Sequence, residues 1–139
     1  MRNPEETIGK LIDKATMTII SYCDDEGYPI SKAMLNPRER MGIKEFYLTT
    51  NTSSDKAKYF KKNPKATLYF VDKRFFRGAS LIGEVEVLED AKSKERIWQD
   101  GDTMYYPEGV TDPDYCVLHF IAKRGRYYSN FKNVNFEIE

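Results

Sequence analysis

The chain has 139 residues, 22 of them basic and 22 acidic, with one histidine and two cysteines. That length fits a single domain over residues 1–139, able to bury a core without metal or disulfide staples. The balanced charge points to no nucleic-acid surface, and one histidine with two cysteines is too few for a structural zinc site.

The opening run "MRNPEETIGK" carries acids and no apolar segment, so no secretory signal is expected. "PEETIGKLIDKA" places Pro4 at a helix start and acids in the first turn. Ile8, Leu11, Ile12 and Ala15 follow at helical spacing, which predicts a short amphipathic helix. "TMTIISYC" then reads as a strand, "DDEGYP" as a hairpin turn and "ISKAML" as the returning strand. "NPRERMG" reads as a longer loop, and "IKEFYLTT" as a third strand with Phe46 and Leu48 on one face.

A helix is predicted after "TTNTSS", stopping at "KKNP" because Pro64 disfavours helical geometry at Asn63. "KATLYFVD" is a fourth strand. In "ASLIGEVEVLED", a fifth, Leu81, Gly83, Val85 and Val87 share one face against Glu84 and Glu86. "AKSKERIWQD" reads as helical and "GDTMYYPEGVTDPD" as a loop. "YCVLHFIAKRGRYYSN" closes the chain as a long strand covered on both faces in its first half, with a bend expected at Gly125. The fold class is mainly β with flanking helices, and six antiparallel strands favour a closed or nearly closed barrel. Cys23 and Cys116 lie in apolar runs and are expected to be buried free thiols. The longest apolar run, "YCVLHFIA", is far short of the ~20 residues that cross a bilayer. The expected setting is cytoplasmic, with no membrane and no nucleic-acid partner.

The stretch "TTNTSSDKAKYF", residues 49–60, has two readings. Ser53 or Ser54 can cap the helix by accepting an unpaired N–H, with Asp55 suiting the dipole. The same helix start can instead hold an anion, with Lys56 adding charge and Thr49, Thr50 and Ser54 adding hydroxyls. Asp55 opposes that second reading, and Lys58, Lys61, Lys62 and Lys65 read as a solvated face. His119 alternates with Val117 and Ile121 and reads as a core or interface histidine.

The motifs "GYPISKAM", "FYLTTNTSSDK", "NPKATLYFVD", "LIGEVEVLED" and "DPDYCVLHFIAKRGRYY", in that order, resemble the pyridoxamine-phosphate-oxidase-like FMN-binding split barrels, and within them the general-stress-protein group. The resemblance implies a six-stranded split barrel that is a homodimer with FMN at the subunit interface, acting as an oxidoreductase on a small molecule. It implies Lys32 near the FMN phosphate, with Ser54 and Lys56 binding that phosphate at the helix start. It also implies Thr49 and Thr50 lining the cofactor, and backbone at Ala33 and Met34 along the flavin. Trp98 and the pair Tyr127–Tyr128 are placed toward the cofactor or the partner chain. Asp55 stands where the oxidases have a second basic residue, Gly78 where they have a glutamine, and "NVNFEIE" lacks their Arg-Leu-x-Pro ending. These departures count against pyridoxamine phosphate oxidation itself more than against FMN binding. The alternative is a non-catalytic module that binds or stores flavin or haem.

Overall fold

The structure, a computed structural model, describes residues 3–139; Met1 and Arg2, part of the opening run read for a leader, lie outside them. Helix α1 (Pro4–Lys14) starts as its sequence predicts. The Asn3 side chain accepts from the Glu6 N–H, Pro4 takes the first turn, and Ile8, Leu11 and Ile12 are buried. Strands β1 (Thr18–Cys23) and β2 (Pro29–Met34) form the expected hairpin, and its turn is tied by Asp24 Oδ1 accepting from the N–H groups of Glu26 and Tyr28. Then come β3 (Glu39–Met41), β4 (Glu45–Asn51), α2 (Asp55–Lys62), β5 (Lys65–Asp72), β6 (Arg77–Leu88), α3 (Ala91–Ile97), β7 (Tyr115–Ser129) and β8 (Lys132–Glu137).

The mainly β, antiparallel split-barrel architecture with flanking helices holds, but eight strands replace the six expected. The short β3 pairs with β4 inside what reads as a loop, because Glu39 and Arg40 show no apolar alternation. These side chains are held by charge instead, Glu39 by Arg96 and Arg40 by Asp13. The tail "NVNFEIE" forms most of β8 on β7, and the Phe136 ring packs over Gly125 where a Cβ would collide with it. The sheet order is β2-β1-β5-β6-β7-β4-β3, so β2 and β3 are free edges and the barrel is not closed. A register irregularity lies just before Gly125, the position where a bend is expected. Register slips between Ile82 and Gly83 opposite Lys123, where the Ile121 carbonyl comes too close to Gly83 for any side chain.

Two cores share β4 and β7. One face of these strands sends Phe46, Leu48, Leu118 and Phe120 into the barrel interior with Ile8, Phe70 and Leu81. The other sends Tyr47, Tyr115 and Val117 against Ile97 of α3 and Tyr106, which lies between the two 3-10 turns Asp102–Met104 and Gly109–Thr111. The expectation that β7 is covered on both sides is met. Cys116 is buried, whereas Cys23 is only half-buried because β1 ends at the hairpin; neither is bridged. No described helix is long and apolar enough to cross a membrane.

Candidate functional site

The β4–α2 turn is where a strand end, a helix start and a neighbouring strand converge. Ser54 caps α2, its hydroxyl oxygen accepting from the Ala57 N–H at 3.3 Å. A hydroxyl that accepts in this way still has its own O–H to give, so capping and anion binding are compatible roles for one side chain. The loop before it is braced from β7. Asp114 accepts from the Ser53 N–H at 2.8 Å and from the Asn51 side-chain amide at 2.9 Å, while the Thr52 N–H donates to the Asp114 carbonyl. Asp114 is a residue the sequence reading missed; only its pairing across the turn reveals it. These contacts hold its carboxyl below the usual aspartate range.

Lys56 is the buried charge of this turn, 8% exposed on the first turn of α2. Burial pushes its pKa below the ordinary lysine value, and the charge of Lys32 pushes it further. The two lysines are therefore near enough for their charges to interact, Lys56 buried and Lys32 exposed. Lys32 lies on β2 opposite Ile20, in the row with Ile30 and Met34, whose side chains pack against the barrel core. Among the described residues neither lysine forms an ion pair, whereas Lys61 and Lys62 on the outer face of the same helix are paired with Glu89 and Asp25. Thr50 is buried and pairs with Cys116, whose thiol burial pushes up. Beside that thiol Thr52 Oγ1 is buried with no full hydrogen-bond partner, since a thiol is a weak one.

Not every residue singled out from the sequence gathers here. Thr49 points to the opposite face of β4 from Thr50 and meets Tyr106 in the second core. Trp98 sits on that side too, with ring centroids 5.3 Å from Tyr115 and 6.2 Å from Tyr106. Ala33 is exposed and alternates with Lys32 and Met34 on β2. Tyr127 is buried in the barrel core, and Tyr128 lies half-buried at the far end of the sheet. His119 is engaged: it stacks on Tyr47 at 4.4 Å and its Nε2 meets Glu45 at 2.9 Å. The core-histidine reading fits that placement.

The model of the pyridoxamine 5'-phosphate oxidase family matches residues 4–129. A solved structure from Clostridium acetobutylicum, described as related to general stress protein 26 of Bacillus subtilis and of the pyridoxinephosphate oxidase family, is 41% identical; the match covers 97% of this chain and 94% of that one, with a TM-score of 0.89. General stress protein 26 of Bacillus anthracis matches at 17% identity over 95% of this chain and 98% of its own, TM-score 0.76. A heme binding protein of Mycobacterium smegmatis matches at 14% identity over 99% of this chain and 59% of its own, TM-score 0.79. These last two similarities carry the fold alone. No curated protein matches the chain.

Proposed function

The chain belongs to the pyridoxamine 5'-phosphate oxidase family, and from that membership and the lysine pair we propose that it binds FMN. The observation that carries this reading is the unpaired couple Lys32–Lys56 at a helix start. Two ammonium groups whose charges act on each other, one of them buried, repel and cost stability unless a polyanion joins them. A flavin phosphate, with about two negative charges, suits such a couple. Lys56 and Lys32 would neutralise it, Ser54 would donate its O–H, and the free N–H groups of the first turn of α2 would add their dipole. Thr50 and Thr52 would supply hydroxyls from the strand end and the loop. Asp55 faces solvent at the rim, where water screens its repulsion.

The bound flavin would supply hydride or electron transfer, while the chain supplies position and charge. We propose an oxidoreductase acting on a small molecule. Residues Tyr69 and Val71 are 37% and 38% exposed on the outer face of β5, beside the half-buried Ile19 and Ile82. This apolar row supports a homodimer with FMN at the subunit interface. Haem is the weaker second ligand, because the sole histidine is committed to Glu45 and Tyr47.

Titration with FMN, followed by visible absorbance and flavin fluorescence, tests the reading. Saturable binding at micromolar concentration is expected; free, unquenched flavin at that concentration refutes it. Turnover of NAD(P)H by the loaded protein with an acceptor supports the enzyme, and bound but unreactive flavin supports a carrier.

A further inference from the structure

The end of the sheet away from α2 has a composition that flavin binding does not use. Residues 73–76 join β5 to β6 and residues 130–131 join β7 to β8. Because Gly78 pairs with Tyr128, the two tips emerge side by side. Phe75, Phe76 and Phe131 stand on them at 60%, 76% and 94% exposure, with the Phe76 ring meeting Tyr128 edge-on at 6.0 Å. Phe76 and Phe131 also hold φ of 50° and 64°, left-handed backbone that suits glycine or asparagine and strains a bulky side chain. Large apolar groups kept at strained, solvent-facing tips point to use rather than to packing.

The charge around these rings is mostly positive. Lys73, Arg74, Arg77 and Lys132 lie on the tips or at their bases, and two guanidinium groups cover Phe75 at 4.9 and 5.0 Å. Lys10 and Lys14 of α1 face Lys73, Arg74 and Arg77 across a cavity of about 270 Å³ that Thr7 and Thr16 also line. Asp72 is the carboxylate in that lining, and Arg77 pairs with it at 2.6 Å. Lys10 is tied loosely to Glu6 at the helix surface.

We propose that this end docks on an anionic lipid bilayer. The three phenylalanines enter the headgroup boundary, and the surrounding lysines and arginines face lipid phosphates. Aromatic rings ringed by cations match such a surface in both polarity and charge. Docking of this kind needs no spanning segment, it departs from the expectation of no membrane partner, and nothing here depends on flavin.

The test is sedimentation of the full chain with vesicles of equimolar phosphatidylglycerol and phosphatidylcholine, against phosphatidylcholine alone. Pelleting with the anionic vesicles only, reversed by added salt, is expected. Phe75→Ser/Phe76→Gly/Phe131→Gly should lower the partition by about tenfold or more and leave the melting temperature no lower, since glycine relieves the two strained positions. Lys73→Ser and Arg74→Ser should each lower it about fivefold. No preference for anionic vesicles, or an aromatic variant that pellets like the parent, overturns the proposal. So does gel filtration in which the aromatic variant loses a dimer that the parent forms, because the tips would then be a subunit contact.

Discussion

Two buried charges at either end of β3–β4 are treated in opposite ways. At one corner Arg38 donates two hydrogen bonds to Asp102, at 2.7 and 2.8 Å, and both side chains are nearly closed off from water. Asp102 also accepts from the Gln99 N–H, and Arg38 from its side donates to the Ile97 carbonyl. Every part of that pair is answered from within the chain. At the other end Lys56 is buried, the charge of Lys32 acts on it, and among the described residues it has no ion pair. A completed pair holds the loop of 3-10 turns onto the sheet; an incomplete one describes the charge of what it receives. The difference sets a structural charge apart from one that the proposed reading gives to binding.

The largest effect should come from breaking the completed pair. Arg38→Ala leaves Asp102 buried and alone, so a loss of about 3–5 kcal/mol is expected, seen as a fall in urea midpoint. Arg38→Met with Asp102→Leu should recover most of it, because the apolar pair leaves no orphan charge. A double variant as unstable as the single one would show that geometry, not desolvation, is the cause.

The same operation on the incomplete couple should do the reverse. Lys56→Met removes a disfavoured ammonium, so the apo protein should melt at the same temperature or higher. FMN affinity should drop roughly ten- to a hundredfold, the contribution of one charge-assisted bond. Unchanged affinity in a flavin titration would take Lys56 out of the phosphate site.

Both behaviours carry a pH signature. Lys56 titrates below the ordinary lysine value when folded and at that value when unfolded, so the unfolded chain binds more protons between the two. Stability of the apo protein should therefore rise as pH climbs through that window, while FMN affinity falls as the ammonium is lost. Asp102 gives a slope of the same sign in the acid range, since the Arg38 hydrogen bonds hold its carboxyl below the usual range. Its contribution is complete above the ordinary aspartate value and is lost as pH falls through the lower, folded one. Urea midpoints measured across pH should show both limbs, and Lys56→Met should erase the alkaline one only.

The smallest effect should come from Asp13, whose pair with Arg40 is 60% exposed on the Asp13 side. Asp13→Asn should change stability by about 0–1 kcal/mol. A larger loss would mean that Arg40, which also donates to the Gly42 carbonyl, needs Asp13 to stay in place.

By itself the sequence determined the elements whose signal is periodic and local. The α1 stripe, the β1–β2 hairpin, the alternation of β6 and the stop of α2 at Asn63 are set by neighbours a few residues apart. It also singled out Ser54 and Lys56 at the start of α2, Thr50 near the end of β4 and Lys32 on β2. Strand β3 was illegible because its side chains answer charges far along the chain, Arg96 and Asp13, rather than an apolar face. The tail does alternate, through Val134 and Phe136 in β8 and Ile138 just beyond it, a short signal at the very end of the chain. Only the tertiary structure decided that Thr49 and Thr50 part to opposite faces and that Trp98 joins the second core. It alone decided that Asp114 braces the β4–α2 turn and that the tips carrying Phe76 and Phe131 emerge side by side. Such facts depend on which strands lie side by side, and pairing across a sheet is settled by the whole core and not by any stretch of it.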